Sequence, residues 1–299
     1  MPGEPLYHSL HNHQIMQRQS DDGGIIHLGL FVLFIMLIIF SVIIIGFFQF
    51  TTIQNEQSVY DYDLSLSTSQ PIENVMLLIP VPSYYHPDSG DHQTIIHLSN
   101  ASFNNFDRGG LISTKIEVVN GIPMLNISAD RIDPIYKNFI MPIGIMPGQN
   151  ESELPPPPTH VYSDRYSQET PILVPMKLHM HDRDAGHTID TRMPFGTEPL
   201  FMPYRILENF SSSDGEWYEG YHLSGSASAS LVEVPFFLSY TCDDDNALII
   251  SMTFRGSNNW WVGGWRGNSY CESVSHAFTG QGDGVCWVKG VLVMGEGVY

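Results

Sequence analysis

Apolar positions along this chain fall into two regimes. From Leu28 to Phe48 the stretch LGLFVLFIMLIIFSVIIIGFF runs for 21 residues without a charge. At about 1.5 Å per residue a helix of that length covers the roughly 30 Å hydrocarbon core of a bilayer. The pattern predicts a transmembrane helix within 25–50. GFFQFTTIQ follows in place of a small-residue cleavage site, which favours an uncleaved signal-anchor over a removed signal peptide.

From Val75 onward, short stretches of alternating apolar and polar residues are separated by Pro, Gly, Asn and Asp, which is the pattern of strands and turns. VMLLIPVP (75–82) is an apolar run bounded by proline. TKIEVVNGIPMLNISAD sets Asn120-Gly121 between two alternating segments, the strongest short-range signal for a tight hairpin. VEVPFFLSYT, ALIISMTFR, SYCESVSHAFTG and GVCWVKGVLVMG continue the pattern, with turns at DDDN and GQGDG. The fold class is therefore mainly β, one N-terminal transmembrane α-helix followed by a β-sandwich-like extracytoplasmic region of one or two lobes. The boundaries are a polar tail at 1–24, the membrane helix at 25–50 and a polar stalk or first edge strand at 51–72. A β-rich lobe at 73–150, a proline-rich linker at 151–160 (ESELPPPPTH) and a second β-rich lobe at 161–299 follow.

Charge sets the orientation. Residues 1–24 hold one base, Arg18, and no other appears after the helix until Arg108. Basic residues are retained on the cytoplasmic side, so the N-terminus is expected inside and the C-terminal region outside a cell membrane crossed once. The net charge is −19. Residues 1–24 carry three acids against one base, which leaves −17 for the rest. Such a surface repels nucleic acid and is not a nucleic-acid partner. The expected partners are the lipid bilayer, through the helix, and a carbohydrate or protein at the cell surface. The polar leader ending in Gly23-Gly24 before an apolar helix and a β-rich tail resembles type IV pilin organisation. It departs from that pattern in having His27 and Gly29 where an early helix Glu would stand.

The densest group of potential ligands is KLHMHDRDAGHTIDTR, Lys177 to Arg192. A hairpin with Arg183 opposite Thr188 would turn Leu178, Met180 and Asp182 to one face, opposite Met193, Thr191 and Ile189. His179 and His181 would form the other face, opposite Arg192 and Asp190. In that arrangement the histidines are an outward row, with His181 and Asp190 as a cross-strand pair. The functional alternative is a metal held by His179, His181 and Asp190, the centre of a metal-dependent hydrolase. Arg192 beside His179 and the loose fit to the metal motif of metallo-β-lactamase-like hydrolases count against it. His86, Asp88, Asp91 and His92 fall in a loop containing Pro and Gly, where Asp serves turns. No dinucleotide, phosphate-loop or nucleophile-elbow motif occurs, so no cofactor is expected and catalysis is not the leading reading.

GSNNWWVGGWRGNSY (256–270) places Trp260, Trp261, Trp265 and Arg266 among Gly and Asn between strands, a candidate ligand-binding loop. The alternative is that these tryptophans fill the core or seat the domain at a membrane interface. Three cysteines lie in the last sixty residues or so. An up-and-down order of the last four strands would bring Cys242 and Cys286 to the same end, as a disulfide, and leave Cys271 free. A turn over Gly280–Gly284 sets Cys271 opposite Val293. Asn100, Asn126, Asn150 and Asn209 are N-x-S/T glycosylation candidates. The function expected from all of this is membrane-anchored binding, adhesion or envelope structure, with the hydrolase and a pilin-like surface subunit as alternatives.

Overall fold

The structure is a computed structural model that describes residues 27–47, 57–86, 90–139, 160–165, 171–183, 185–211, 217–218, 221–222, 227–243, 245–262 and 264–299. Helix α1, His27–Phe47, is the one helix among them long and apolar enough to cross a membrane. All of its residues are exposed. The strands, apart from residues 261–264, belong to a compact unit of Gln57–Trp260 with Trp265–Tyr299.

In chain order that unit begins with β1 (Gln57–Thr68), β2 (Ile72–Pro80), β3 (Pro82–His86), β4 (Asp91–Thr94) and β5 (Ser102–Asn104). Next come β6 (Ser113–Val119), β7 (Ile122–Ile132), β8 (Tyr136–Phe139), β9 (His160–Ser163) and β10 (Pro171–Leu173). Then follow β11 (Met176–Asp182), β12 (Leu200–Phe201), β13 (Arg205–Ser211), β14 (Trp217–Tyr218) and β15 (Tyr221–His222). The four longest close the chain: β16 (Ser228–Thr241), β17 (Ala247–Trp261), β18 (Trp265–Thr279) and β19 (Gly282–Gly297).

Eleven of these strands form one sheet, ordered β5-β11-β1-β17-β18-β19-β16-β2-β7-β6, with β13 added alongside β16. Its shape follows from its connections. β1 and β2 stand five strand intervals apart, about 24 Å in a flat sheet at the usual spacing. The link between them holds only residues 69–71, a reach of roughly 14 Å from Thr68 to Ile72. The sheet must therefore curl back on itself. The link from β16 to β17 crosses three intervals of the same order, and Asn246 holds the two links together. Its Oδ1 accepts from Thr68 Oγ1, Ser69 Oγ and the Gln70 amide at 2.9 to 3.1 Å. The curled sheet encloses an apolar core to which strands from β11 at one side of the order to β7 at the other contribute, with Ile116 of β6 packed against it.

Local sequence explains the elements. In β1 the residues Tyr60, Tyr62, Leu64 and Leu66 alternate with Asp61, Asp63, Ser65 and Ser67, and the first set is buried. Asn120 and Gly121 both take positive φ, 53° and 81°, and join Val119 to Ile122 in the expected two-residue hairpin. Gly256 is required by packing, because a Cβ there would run into the Tyr270 ring.

Several expectations need correction. The described part of the stalk is β1, an interior strand paired with both β11 and β17. The prolines of 151–160 do not divide the fold, since β5 pairs β11 and β2 pairs β16 across that boundary. The last four strands are not an up-and-down meander: β16 lies beyond β19 rather than beside β17. Cys286 lies near Phe236 in register, six residues from Cys242, or roughly 20 Å along the strand. A disulfide needs Cα atoms within about 7 Å, and Cys242, Cys271 and Cys286 are all free thiols. The register of the final hairpin is as expected, with Cys271 opposite Val293.

Candidate functional site

The stretch after β11 does not return as a hairpin strand. Residues 185–199 instead lie against one end of the curled sheet. The Ala185 amide donates to Ser58 O at 3.1 Å, and the Gly295 amide to Thr191 O at 2.8 Å. Ile189 and Thr191 are buried, so the alternation in HTIDTR is real but serves a cap. Its backbone finds a substitute for a partner strand in Asn258. That side chain accepts from the Ile189 amide at 2.9 Å and donates to Ile189 O at 2.8 Å.

The histidines follow this change of partner. β11 pairs with β1, so His179 Nδ1 meets Asp63 Oδ1 at 2.9 Å and His181 Nδ1 meets Asp61. Leu178 and Met180 point into the core, and the two imidazoles stack on the outer face with centroids 6.4 Å apart. Asp190 is not opposite His181. Its Oδ1 accepts from the Arg192 and Met193 amides, which makes it a turn-former. The three residues of the metal alternative are therefore not brought together. Among the described residues no three His, Cys, Asp or Glu side chains converge as a metal site.

The cap forms one wall of a cavity of about 340 Å³. The sheet supplies Tyr60 from β1 and Asp182 from β11, which are register partners at the end of the inner row. Tyr84 and His86 of β3 and Ile95 form a second wall, and Ala185, His187, Thr197 and Pro199 of the cap form the third. Beneath these lies Glu198, 4% exposed. Its Oε2 accepts from Tyr60 Oη at 2.5 Å and meets His187 Nε2 at 3.2 Å, and its Oε1 accepts from the Asp190 amide at 2.8 Å. Burial, followed by the bond to Glu198, pushes the Tyr60 phenol well above its usual range. It therefore stays a neutral donor.

A second carboxyl lies deeper. Glu272 of β18 is 1% exposed and accepts from the Phe201 amide at 2.7 Å. Burial raises it to about 8, against the lowering effect of that hydrogen bond. Tyr270, raised well above its ordinary value by burial first and then by the nearby Tyr60 and acids, donates to Pro199 O at 2.8 Å. The floor of the cavity is thus fixed to the core by donors that stay protonated.

Of the residues expected from sequence to bind ligand, Trp260 is half-buried near the end of β17. Trp261 is 43% exposed at that strand's end, and Trp265 is 64% exposed beside the exposed Arg266 at the start of β18. None of the three tryptophans belongs to the core. Asn100 and Asn209 are exposed. Asn126 is not an acceptable glycosylation site, since it is 5% exposed and donates to Glu117 Oε2 at 2.7 Å. Asn150 lies outside the described residues. Sequence reasoning missed Tyr60, Tyr84, His86, His187 and Glu198 as a group. The one local signal was Asp182, an acid at the end of the otherwise apolar row Leu178, Met180.

Comparison with known proteins adds no relative: no family model, curated protein or solved structure matches this chain.

Proposed function

We propose that this chain is a single-pass membrane protein, anchored by α1 with its β domain on the outer side, and that the domain acts in binding. The observation that carries this reading is α1 itself. Its 21 residues are all exposed, and an uncharged apolar helix of that length finds its favourable solvent in lipid. The long, regularly paired strands supply a rigid scaffold, and binding sites are commonly formed by loops and cavities on such scaffolds. The exposed Trp261 and Trp265 suit a surface partner, whether carbohydrate or protein.

Alkaline carbonate extraction of membranes from expressing cells tests the anchoring. The protein is expected to remain in the pellet, and release into the supernatant would refute it. Metal analysis of the purified full chain tests the hydrolase alternative, which requires stoichiometric zinc that is lost on replacing His179 and His181.

A further inference from the structure

We propose that β6 pairs with β6 of a second copy of this chain, antiparallel and centred on Ile116, so that two copies form a two-fold dimer through the edge of the sheet. The inference goes beyond the membrane-anchored binding role and does not rest on it.

β6 ends the strand order, and among the described residues it pairs along one edge only, with β7. The strand at the other end, β5 (Ser102–Asn104), is too short to offer a partner much. The phase of the β6–β7 hairpin decides which backbone groups face outward. A two-residue loop closes on a hydrogen-bonded pair, here Val119 and Ile122, and bonded and non-bonded pairs alternate from there. The N–H and C=O groups of Thr114, Ile116 and Val118 therefore point away from β7. Pro123, which has no N–H, stands opposite Val118, as that phase allows. Open edges of this kind take up a further strand. The charges on β6 then select its own copy. A dyad at Ile116 sets Lys115 of each copy opposite Glu117 of the other. A dyad at Lys115 or at Glu117, the nearest registers of the same phase, sets like charges opposite each other, which is unfavourable. Lys115 and Glu117 already pair within one copy, at 2.5 Å, so the four side chains alternate in sign around the dyad at Ile116. That dyad also overlaps the whole seven-residue strand and sets Val118, 69% exposed, beside Thr114 of the second copy.

Sedimentation equilibrium of the purified full-length chain, in a density-matched nonionic polyoxyethylene detergent, measures the dimer constant. Lys115→Glu and Glu117→Lys are each expected to weaken the dimer about tenfold, because each turns both cross-strand pairs repulsive. An equimolar mixture of the two variants should recover near-parental affinity, since in the mixed dimer every Glu faces a Lys. Val118→Pro removes an outward N–H without touching the ladder to β7, and should weaken the dimer with both charges in place. Unfolding midpoints confirm that each variant folds. A parent chain that stays monomeric throughout the concentration series, folded variants that dimerise as the parent does, or a mixture no tighter than its components would overturn the assignment. Association through α1 gives the second of these results, because no variant alters α1. Membrane orientation does not enter the measurement, so its failure is distinguishable from failure of the anchoring.

Discussion

Asn258 holds Ile189 as a neighbouring strand would, accepting from its amide and donating to its carbonyl through one side chain. The same amide group also accepts from Ser58 Oγ and donates to Asn268 Oδ1, both at 2.9 Å. A single buried residue thereby ties the cap to β1, β17 and β18.

Replacing Asn258 with Ala should therefore cost about 2–4 kcal/mol, because it leaves buried backbone groups of Ile189 without partners. Urea unfolding measures the loss. Hydrogen exchange at the Ile189 amide should accelerate in the variant, and a loss below about 0.5 kcal/mol would mean that the cap is held by something else.

Glu272 makes a pH-dependent prediction. Its folded value, about 8, lies above the ordinary 4.5, so the folded state keeps a proton that the unfolded chain releases. Its contribution is most favourable below about pH 4.5, declines as pH rises toward 8 and is constant above. At about 1.4 kcal/mol per pH unit over this interval the decline is on the order of 5 kcal/mol at most. Glu272→Gln still offers an acceptor to the Phe201 amide and has no such dependence. The stability of the variant relative to the parent should grow between pH 5 and pH 8.5. An unchanging difference would show that this carboxyl is not held neutral.

His179 and His181 face Asp63 and Asp61 on an exposed surface. Ion pairs of that kind contribute little, so changing both histidines to Ala should alter unfolding free energy by less than about 1 kcal/mol. A loss of several kcal/mol in chemical denaturation would reveal a structural or ligating role.

The cysteine register predicts three thiols in native protein. Peptide mapping without reduction should recover Cys242, Cys271 and Cys286 each unlinked. A bridge between any two would require a strand arrangement different from the one described.

Much of the strand pattern is legible in sequence wherever one residue step decides it. Asn120-Gly121 fixes its hairpin because both positions need positive φ, and the inward row Leu178, Met180 follows from alternation alone. β1 was equally legible: YDYDLSLS alternates without a break, but its acids and serines resemble a stalk when composition is weighed before period. Strand order was not legible. Alternation says which face is buried and nothing about which strand lies alongside, so β16 beyond β19, and with it the distance from Cys242 to Cys286, had no local signal. The cavity was hidden for the same reason. Tyr60, Tyr84, Asp182 and Glu198 are far apart in the chain and meet only because the sheet curls and the cap crosses its end.

The proposed topology holds the β domain outside the membrane through α1. A protease-sensitive tag placed after Tyr299 tests it most directly, read on intact cells beside a second protein tagged before Met1. Added protease is expected to remove the tag after Tyr299 and to leave the tag before Met1 until the cells are permeabilised. Protection of the first with loss of the second would contradict it.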